Sequence, residues 1–291
     1  MTDAPLVGPV SAPELHVMTY NIRRRLTRVL SRRPDRWATR KGLVNRILAV
    51  EQPTLLGVQE ALVEQVDVVA DALGPSYRWV GLGRDPAGTG ERCPIFYDSR
   101  RLELTEWKQR ALSATPELRG SRTWGNATRR ILVSAAFTDI ATGARLLAFN
   151  THFDHLSPRS RHESARFIVH LVEAVQTAEP ASSVVVTGDF NAAQHSAVHR
   201  LLTAGGVLND AWDAAVEQLT PQWGTFSNYR PRRIGGKRID LILVGHGVDV
   251  LRTGINAVRF DGRAASDHEP VQAVLRLPEV RRARAARRRA R

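Results

Sequence analysis

A set of polar positions stands out because of where it falls in the sequence. Asn21, Glu60, Asn150 with His152, Asp189 with Asn191, and Asp267 with His268 each lie at or just past the end of an apolar, strand-like run. Strand ends are where a rigid scaffold presents side chains to a shared site. Asp240 lies inside such a run, between Ile239 and Leu241. A buried carboxylate needs a partner, and its natural one is a histidine such as His268. Singly, these residues have plainer explanations: an Asn after a strand forms turns, and an Asp after glycine makes an Asx-turn. Together they offer carboxylate and amide oxygens with few histidines, a hard-ligand site suited to Mg²⁺ or Mn²⁺. A phosphoester is what such a site could attack. Its oxygens are already negative, and a metal with a cationic histidine neutralises the charge that grows in the transition state. An Asp240 partner would orient the His268 ring and keep it protonated near neutral pH.

Elements must exist to place these groups. Leu15 to Tyr20 alternates and reads as a strand ending at Asn21. Trp37, Val44, Ile47 and Leu48 share one face of a helix over about 36–50. Residues 54–59 read as a buried strand running into Glu60, followed by a helical stretch near 61–73 and a Gly-, Arg- and Asp-rich loop over 81–92. Strand-like pieces follow at 94–97, 102–107, 131–138 and 145–151. Ser157-Pro158 starts a helix over 159–178, with Ser160 and Glu163 at capping-box spacing. Further strands are predicted at 184–187, 239–244, 248–255 and 270–276. Many strands with few helices, no internal repeat and no linker before the tail imply one domain whose sheets are covered by helices. We place a leader at 1–13, the domain at 14–277 and an Arg-rich, disordered tail at 278–291.

The 291 residues are 43% hydrophobic and 24% charged, which excludes wholesale disorder. No run approaches the roughly 18 apolar residues of a membrane span. The start of the chain lacks a basic region followed by an apolar one, so a cytoplasmic protein is expected. Cys93 is the one cysteine, which excludes an internal disulfide and any multi-cysteine metal site. The net charge of +13 is concentrated in two places. Residues 281–291 carry seven arginines and no acid, and residues 23–41 carry nine basic residues against Asp35 alone. Everything else is near neutral. Such segments are either solvated faces or patches that attract a polyanion.

Six segments carry a family resemblance: MTYNIR at 18–23, GVQE at 57–60, NTHFDH at 150–155, GDFN at 188–191, RIDLIL at 238–243 and SDHEPV at 266–271. In this order and at strand ends, they resemble the endonuclease/exonuclease/phosphatase superfamily, which includes DNase I-like nucleases, deadenylases and inositol polyphosphate 5-phosphatases. The resemblance implies a four-layer α/β sandwich of two packed mixed β-sheets with outer helices. It also implies a divalent-metal-dependent phosphoesterase using Mg²⁺ or Mn²⁺. Glu60 would be the principal metal ligand, with Asn21 and Asp267 beside it. Asp189 would orient or deprotonate the attacking water, and Asn191 would bind water or phosphate. His152 would contact the scissile phosphate, and His268, oriented by Asp240, would stabilise the phosphorane. Arg23, Asn150 and Arg130 would bind substrate.

Some positions depart from the pattern. Arg23 stands where several relatives carry an acid, and Glu269 stands where an apolar or aromatic residue is usual. His152 replaces the tyrosine of abasic-site endonucleases, which points to deadenylase-like or general phosphodiesterase branches. Glu91, Trp124 and Arg130 would line the pocket, or else are a loop glutamate, a core tryptophan and a surface arginine. Two rivals compete. The H-x-D-H of His152 to His155 suits a zinc hydrolase, although Asn150 occupies the place of a further histidine. The Arg segments would also suit an inactive module that tethers nucleic acid. The favoured substrate is a nucleic-acid phosphodiester, DNA or RNA, because Arg23 to Arg25 leave the first motif directly. Inositol, phospholipid and small-molecule phosphates are the alternative, since aromatics are only 6% and no base-stacking module is recognisable. No obligate protein partner is evident.

Overall fold

The computed structural model describes residues 4–26 and 32–279. The elements run β1 (Glu14–Asn21), α1 (Trp37–Glu51), β2 (Leu55–Gln59), α2 (Val63–Leu73), β3 (Tyr77–Val80), β4 (Ile95–Asp98), β5 (Leu102–Ala111), β6 (Ile131–Asp139) and β7 (Arg145–His152). They continue with α3 (Pro158–Ala178), β8 (Ser182–Asp189), α4 (Ala197–Thr203), β9 (Leu208–Asp210), α5 (Ala211–Ala214), β10 (Glu217–Gln218), β11 (Asp240–Gly245), β12 (Asp249–Ile255) and β13 (Val271–Arg276).

The central strands are apolar on both faces because both faces are covered. In β1 and β8 seven of eight residues are buried. One sheet has the order β10-β12-β13-β1-β2-β4-β3, and the other β5-β6-β7-β8-β11-β9. Val17, Leu55 and Ala273 of the first meet Val133, Ala148, Val185 and Ile242 of the second in an inner core. Leu48 of α1 and Val66 of α2 cover the outer face of the first sheet, and Ile168 and Val172 of α3 with Leu202 of α4 cover the second. The result is the expected four-layer sandwich.

Each sheet has a parallel pair at its centre, β1 with β2 and β7 with β8. The carboxyl ends of all four strands open at one edge of the sandwich. That edge is where backbone groups leave their ladders and side chains become available to a ligand. Across it, β11 begins antiparallel to β8, with Asp240 opposite Asp189. The sheets approach closely beneath: a Cβ on Gly57 would lie 2.2 Å from Thr187 Oγ1 and 2.7 Å from Asn150 Oδ1.

The structure differs from the sequence reading in several elements. Ser157, not Ser160, caps α3: its side chain accepts the Ser160 N–H at 3.1 Å, and Pro158 occupies the first turn. Proline suits that turn because the N–H it lacks would have no partner there. Strand β5 runs on to Ala111 because it pairs with β6 along its length. Elements β3, α4, β9, α5 and β10 were not foreseen. They are short, and tertiary pairing rather than periodicity defines them. The segment read as a leader is tied to the domain at Glu51, whose buried carboxylate accepts the N–H groups of Leu6, Val7 and Gly8 at 2.7, 3.2 and 3.0 Å. The Arg-rich run 281–291 and residues 27–31 of the first basic segment lie outside the described residues. No helix among the described residues is long and apolar enough to cross a membrane.

His16 on β1 is wholly buried, with Nδ1 2.9 Å from Gly8 O and Nε2 without a partner. Burial, partly offset by Glu51, lowers its pKa to about 4. The unfolded chain therefore takes up a proton below about 6.5 that the folded chain refuses until about 4. Stability should fall by about 3 kcal/mol as pH drops through that window. Urea denaturation of His16→Asn should show a flatter acid limb, whereas an unchanged slope would assign the acid sensitivity to other groups.

Candidate active site

The site is assembled where β1, β2, β7, β8 and β11 meet. Asn21, last residue of β1, is fully buried and donates through Nδ2 to Glu60 Oε1 (3.1 Å) and Asp189 Oδ2 (2.9 Å). Its Oδ1 accepts the Arg23 N–H at 3.0 Å. Glu60 follows β2 directly, and its Oε2 accepts the Arg24 N–H at 3.1 Å. Asp189 ends β8, with Oδ1 accepting the Asn191 N–H at 3.0 Å. Arg23, Glu60 and Asn191 all have positive φ, at 57°, 62° and 48°. Non-glycine residues tolerate this only where their surroundings hold them, a pattern typical of functional sites.

His268 lies at the centre. Its Nδ1 is 2.8 Å from Asp240 Oδ2, and its Nε2 is 3.7 Å from Asp189 Oδ2. His152 Nε2 is 3.5 Å from the same Asp189 oxygen. Burial opposes a charge on His268, but Asp240, Asp189 and Asp267 outweigh it and raise its pKa well above the ordinary value. His152 is pushed well below, first by burial and then by Arg130 and His268. One ring is thus a cation and the other neutral. Burial and Asp240 push the Asp189 carboxyl up to about 7. In Glu60, burial is outweighed by Arg23 and the Arg24 N–H, and the carboxyl stays below its usual range.

The carboxylates of Glu60, Asp267 and Asp35 surround one guanidinium. Arg23 lies 3.7 Å from Glu60, 3.4 Å from Asp267 and 3.4 Å from Asp35. Three acids against Arg23 and Arg40, the latter 3.9 Å from Asp35, leave a net negative, all-oxygen donor set, and that chemistry fits a hard divalent cation. Two tighter acid–histidine clusters also occur among the described residues. Asp189, Asp240 and His268 form the charge cluster above. In the cluster of His199, Asp210 and Asp213, the Arg238 guanidinium, 2.9 Å from Asp210, already supplies the counter-charge. The zinc alternative fails on Asp154, whose oxygens accept the N–H groups of Ala127, Thr128, Leu156 and Ser157. His155 Nδ1 is meanwhile 3.0 Å from Arg130 Nη2.

A cavity of about 390 Å³ opens over this floor. Every residue proposed for the site from sequence lines it except Asn21, Asp240, Asn150 and Trp124. Asn21 and Asp240 sit behind, orienting the lining groups. Asn150 is a correction. Two residues deeper than His152 on β7, it donates to Val58 O and Pro94 O (2.8 and 2.9 Å) and accepts from Gln59 and Thr187 (2.7 and 3.2 Å). Its amide is consumed in linking the two sheets, so it cannot bind substrate. Asn191 lines the cavity, but its amide donates to Phe153 O at 3.0 Å. Trp124 packs against the α3 side of the core instead of lining the cavity. Glu269 is explained: it accepts the Ser227 N–H at 3.2 Å and pairs with Arg259, fixing the loop that carries Phe226.

The arginines after the first motif do not project freely into the cavity. Arg24 pairs with Glu91 at 2.9 Å and Arg25 with Glu64 at 2.7 Å, while Arg23 is held as above. Sequence reading missed Arg84, which grips Glu91 through two bonds of 2.7 and 2.8 Å, and Phe226, whose ring lies 4.9 Å from His268. Neither has a local signal. Both reach the cavity from loops.

A model of the endonuclease/exonuclease/phosphatase family matches residues 18–268. The chain belongs to that family. Membership makes it a phosphoester hydrolase by family and fold. A mannosyl-6-phosphatase of Bacteroides thetaiotaomicron is similar at 30% identity, covering 90% of this chain and 99% of that one, with a TM-score of 0.82. A family protein of Bacteroides vulgatus is also 30% identical, over 91% and 99%, with a TM-score of 0.81. The catalytic domain of human nocturnin, at 18% identity over 94% and 99% and a TM-score of 0.68, shares the fold. No curated protein sequence matches significantly.

Two substitutions separate the framework of this family site from its chemistry. Asn150→Ala strands Gln59 and two backbone carbonyls in the interior and should cost about 2–4 kcal/mol in urea denaturation. The folded enzyme should keep its KM; a raised KM at normal stability would restore Asn150 to the substrate. Asp240→Asn removes the counter-charge of His268 and should lower kcat about 100-fold or more. The His268 pKa, followed by NMR, should fall with it. An unshifted pKa would refute the pairing as its cause.

Proposed function

We propose that this chain is a divalent-metal-dependent phosphomonoesterase acting on a small polar phosphate ester of the sugar-phosphate type. One observation carries the reading. Arg84 and the buried Arg130 line the cavity beside His152, His268 and Asp189, and its volume of about 390 Å³ is that of a small-molecule site. A terminal phosphate fits a compact site of this size lined by arginines. The similarity to a mannosyl-6-phosphatase supports the same substrate class. The nuclease reading needs some of Arg23 to Arg25 to bind substrate; Arg23 and Arg24 do line the cavity, but each of the three is engaged with a carboxylate.

In the proposed reaction, Glu60 and Asp267 hold Mg²⁺ or Mn²⁺, and Asn21 fixes the Glu60 carboxylate. The ion supplies Lewis-acid neutralisation of the phosphate oxygens when bound. Asp189, its carboxyl raised toward neutrality, takes a proton from the attacking water as the water oxygen bonds to phosphorus, while the opposite P–O bond breaks and the departing alkoxide takes a proton from solvent. The Asn21 amide and the Asn191 N–H aim its two oxygens. Cationic His268, held by Asp240, lies against the charge that develops on the transferring phosphoryl group. Neutral His152 donates a hydrogen bond without adding charge. Arg130, whose Nε makes no hydrogen bond with the described residues, draws the dianion inward, and Arg84 holds Glu91 beside it.

The deciding assay offers mannose 6-phosphate, p-nitrophenyl phosphate, bis-p-nitrophenyl phosphate, single-stranded DNA and RNA, each with Mg²⁺ or Mn²⁺. Phosphate release from the monoesters should dominate and stop on chelation. Glu60→Gln should reduce it about 100-fold or more. Faster cleavage of the diester or of nucleic acid would sink the monoesterase reading, and turnover indifferent to chelation would sink the metal.

A further inference from the structure

Beside the reaction cavity lies a second one, of about 470 Å³, formed by the loop between β10 and β11. Phe226 lines both. It is 48% exposed and packs at a tilt against the floor residue His268, ring centroids 4.9 Å apart. The loop is a built structure. The Gly224 and Thr225 N–H groups bond Arg233 O and Lys237 O at 3.2 and 3.0 Å. Gly224 and Gly236 cross so closely that a Cβ on Gly236 would lie 2.7 Å from Gly224 Cα. The loop is also fastened to the site itself: the Asn228 N–H bonds Asp267 O at 3.0 Å, and Tyr229 Oη bonds Asp35 at 2.8 Å.

Residues 226–239 contain Arg230, Arg232, Arg233, Lys237 and Arg238 with no acid among them. Two of these are structural. Arg238 is buried against Asp210, and Arg232 lies over the Trp223 ring and donates to Ala257 O. Arg230, Arg233 and Lys237 are different. They line the second cavity, are exposed, and make no side-chain hydrogen bond or ion pair with the described residues. In the reaction cavity every arginine is tied to an acid, whereas here three cations converge on a concave surface without one. A concavity lined by one sign of charge concentrates an anion of the other, and the guanidinium fork matches phosphate and carboxylate oxygens.

We infer that Arg230, Arg233 and Lys237 form a distal anion subsite, so that the preferred substrate carries a second phosphate or other anionic group beyond the scissile one. This rests on the monoesterase reading above. The scissile phosphate enters between His152 and His268, the apolar face of a sugar ring packs on Phe226, and the second anionic group reaches the basic cavity. A bisphosphorylated sugar has this arrangement in one small molecule. A nucleic-acid strand would use the same ring and cations, but the small-molecule size of the reaction cavity favours the sugar.

The test compares wild type with the triple variant Arg230→Gln, Arg233→Gln, Lys237→Gln on glucose 1,6-bisphosphate and glucose 6-phosphate. Wild type should prefer the bisphosphate in kcat/KM. The variant should lower the ratio of bisphosphate to monophosphate kcat/KM at least about tenfold, through KM. A ratio that does not move overturns the subsite. Loss confined to oligonucleotide cleavage, with the sugar ratio intact, overturns it in favour of a strand-binding surface. If wild type hydrolyses neither sugar, the monoesterase reading fails by itself. Calorimetric titration of both proteins with glucose 1,6-bisphosphate then decides the subsite: binding weakened in the variant upholds it, and equal or absent binding removes it.

Discussion

Asp189 and Asp240 face each other directly across β8 and β11, both buried. Two adjacent carboxylates in a low-dielectric interior repel one another and lose their hydration, which no sheet would tolerate uncompensated. His268 resolves the conflict by lying between them as a cation, with the Asn21 amide on the same Asp189 oxygen and the Asn191 N–H on the other. Everything near the site follows from this arrangement. The last motif must return to this edge of the sandwich to deliver His268. The parallel pairs β1–β2 and β7–β8 must end together to deliver Asn21, Glu60, His152 and Asp189. The unfavourable pairing survives because four layers of apolar packing enforce the register around it.

Beneath this cluster runs a second, neutral layer of polarity. Gln59, Asn150, Thr19 and Thr187 bond one another between the sheets, within reach of Gly57. A buried network of this kind, in which Gln59 Oε1 is left without a partner among the described residues, favours one alignment of its elements, because any slip leaves further amide groups unpaired. It holds the floor of the site at a fixed height. Residues of the same chemical type therefore have separate duties here: Asn21 orients acids at the surface of the floor, and Asn150 clamps the sheets below it.

The charge of the chain is distributed differently in space than in sequence. In the described part of the first basic segment, Arg23, Arg24 and Arg25 neutralise carboxylates, and Arg40 is buried and donates to four backbone carbonyls. Cations already satisfied by the protein have little left to offer a ligand. The loop before β11 has fewer basic residues, but Arg230, Arg233 and Lys237 pair with no acid among the described residues, so it presents more available charge. Net charge along a segment measures composition, whereas attraction of an anion depends on which charges remain unpaired.

Much of the framework could be read directly from residue order. The apolar runs of β1, β2, β7, β8, β11 and β13 located the central strands, because strands covered on both faces leave a strong local signal. The motif residues at their ends identified Asn21, Glu60, His152, Asp189, Asp240, Asp267 and His268 as a group. Short peripheral elements such as β3 and β9 were invisible, since pairing with distant strands defines them. The true cap of α3 depended on Pro158. The sequence by itself determined which residues are available for chemistry and which segments become strands, because those depend on residue type and local periodicity. Only the tertiary structure decided that Asn150 is consumed between the sheets, that Arg23 to Arg25 are paired, and that Phe226 and Arg84 enter the site. Those facts depend on which partner each polar group meets, and the partners come from far along the chain.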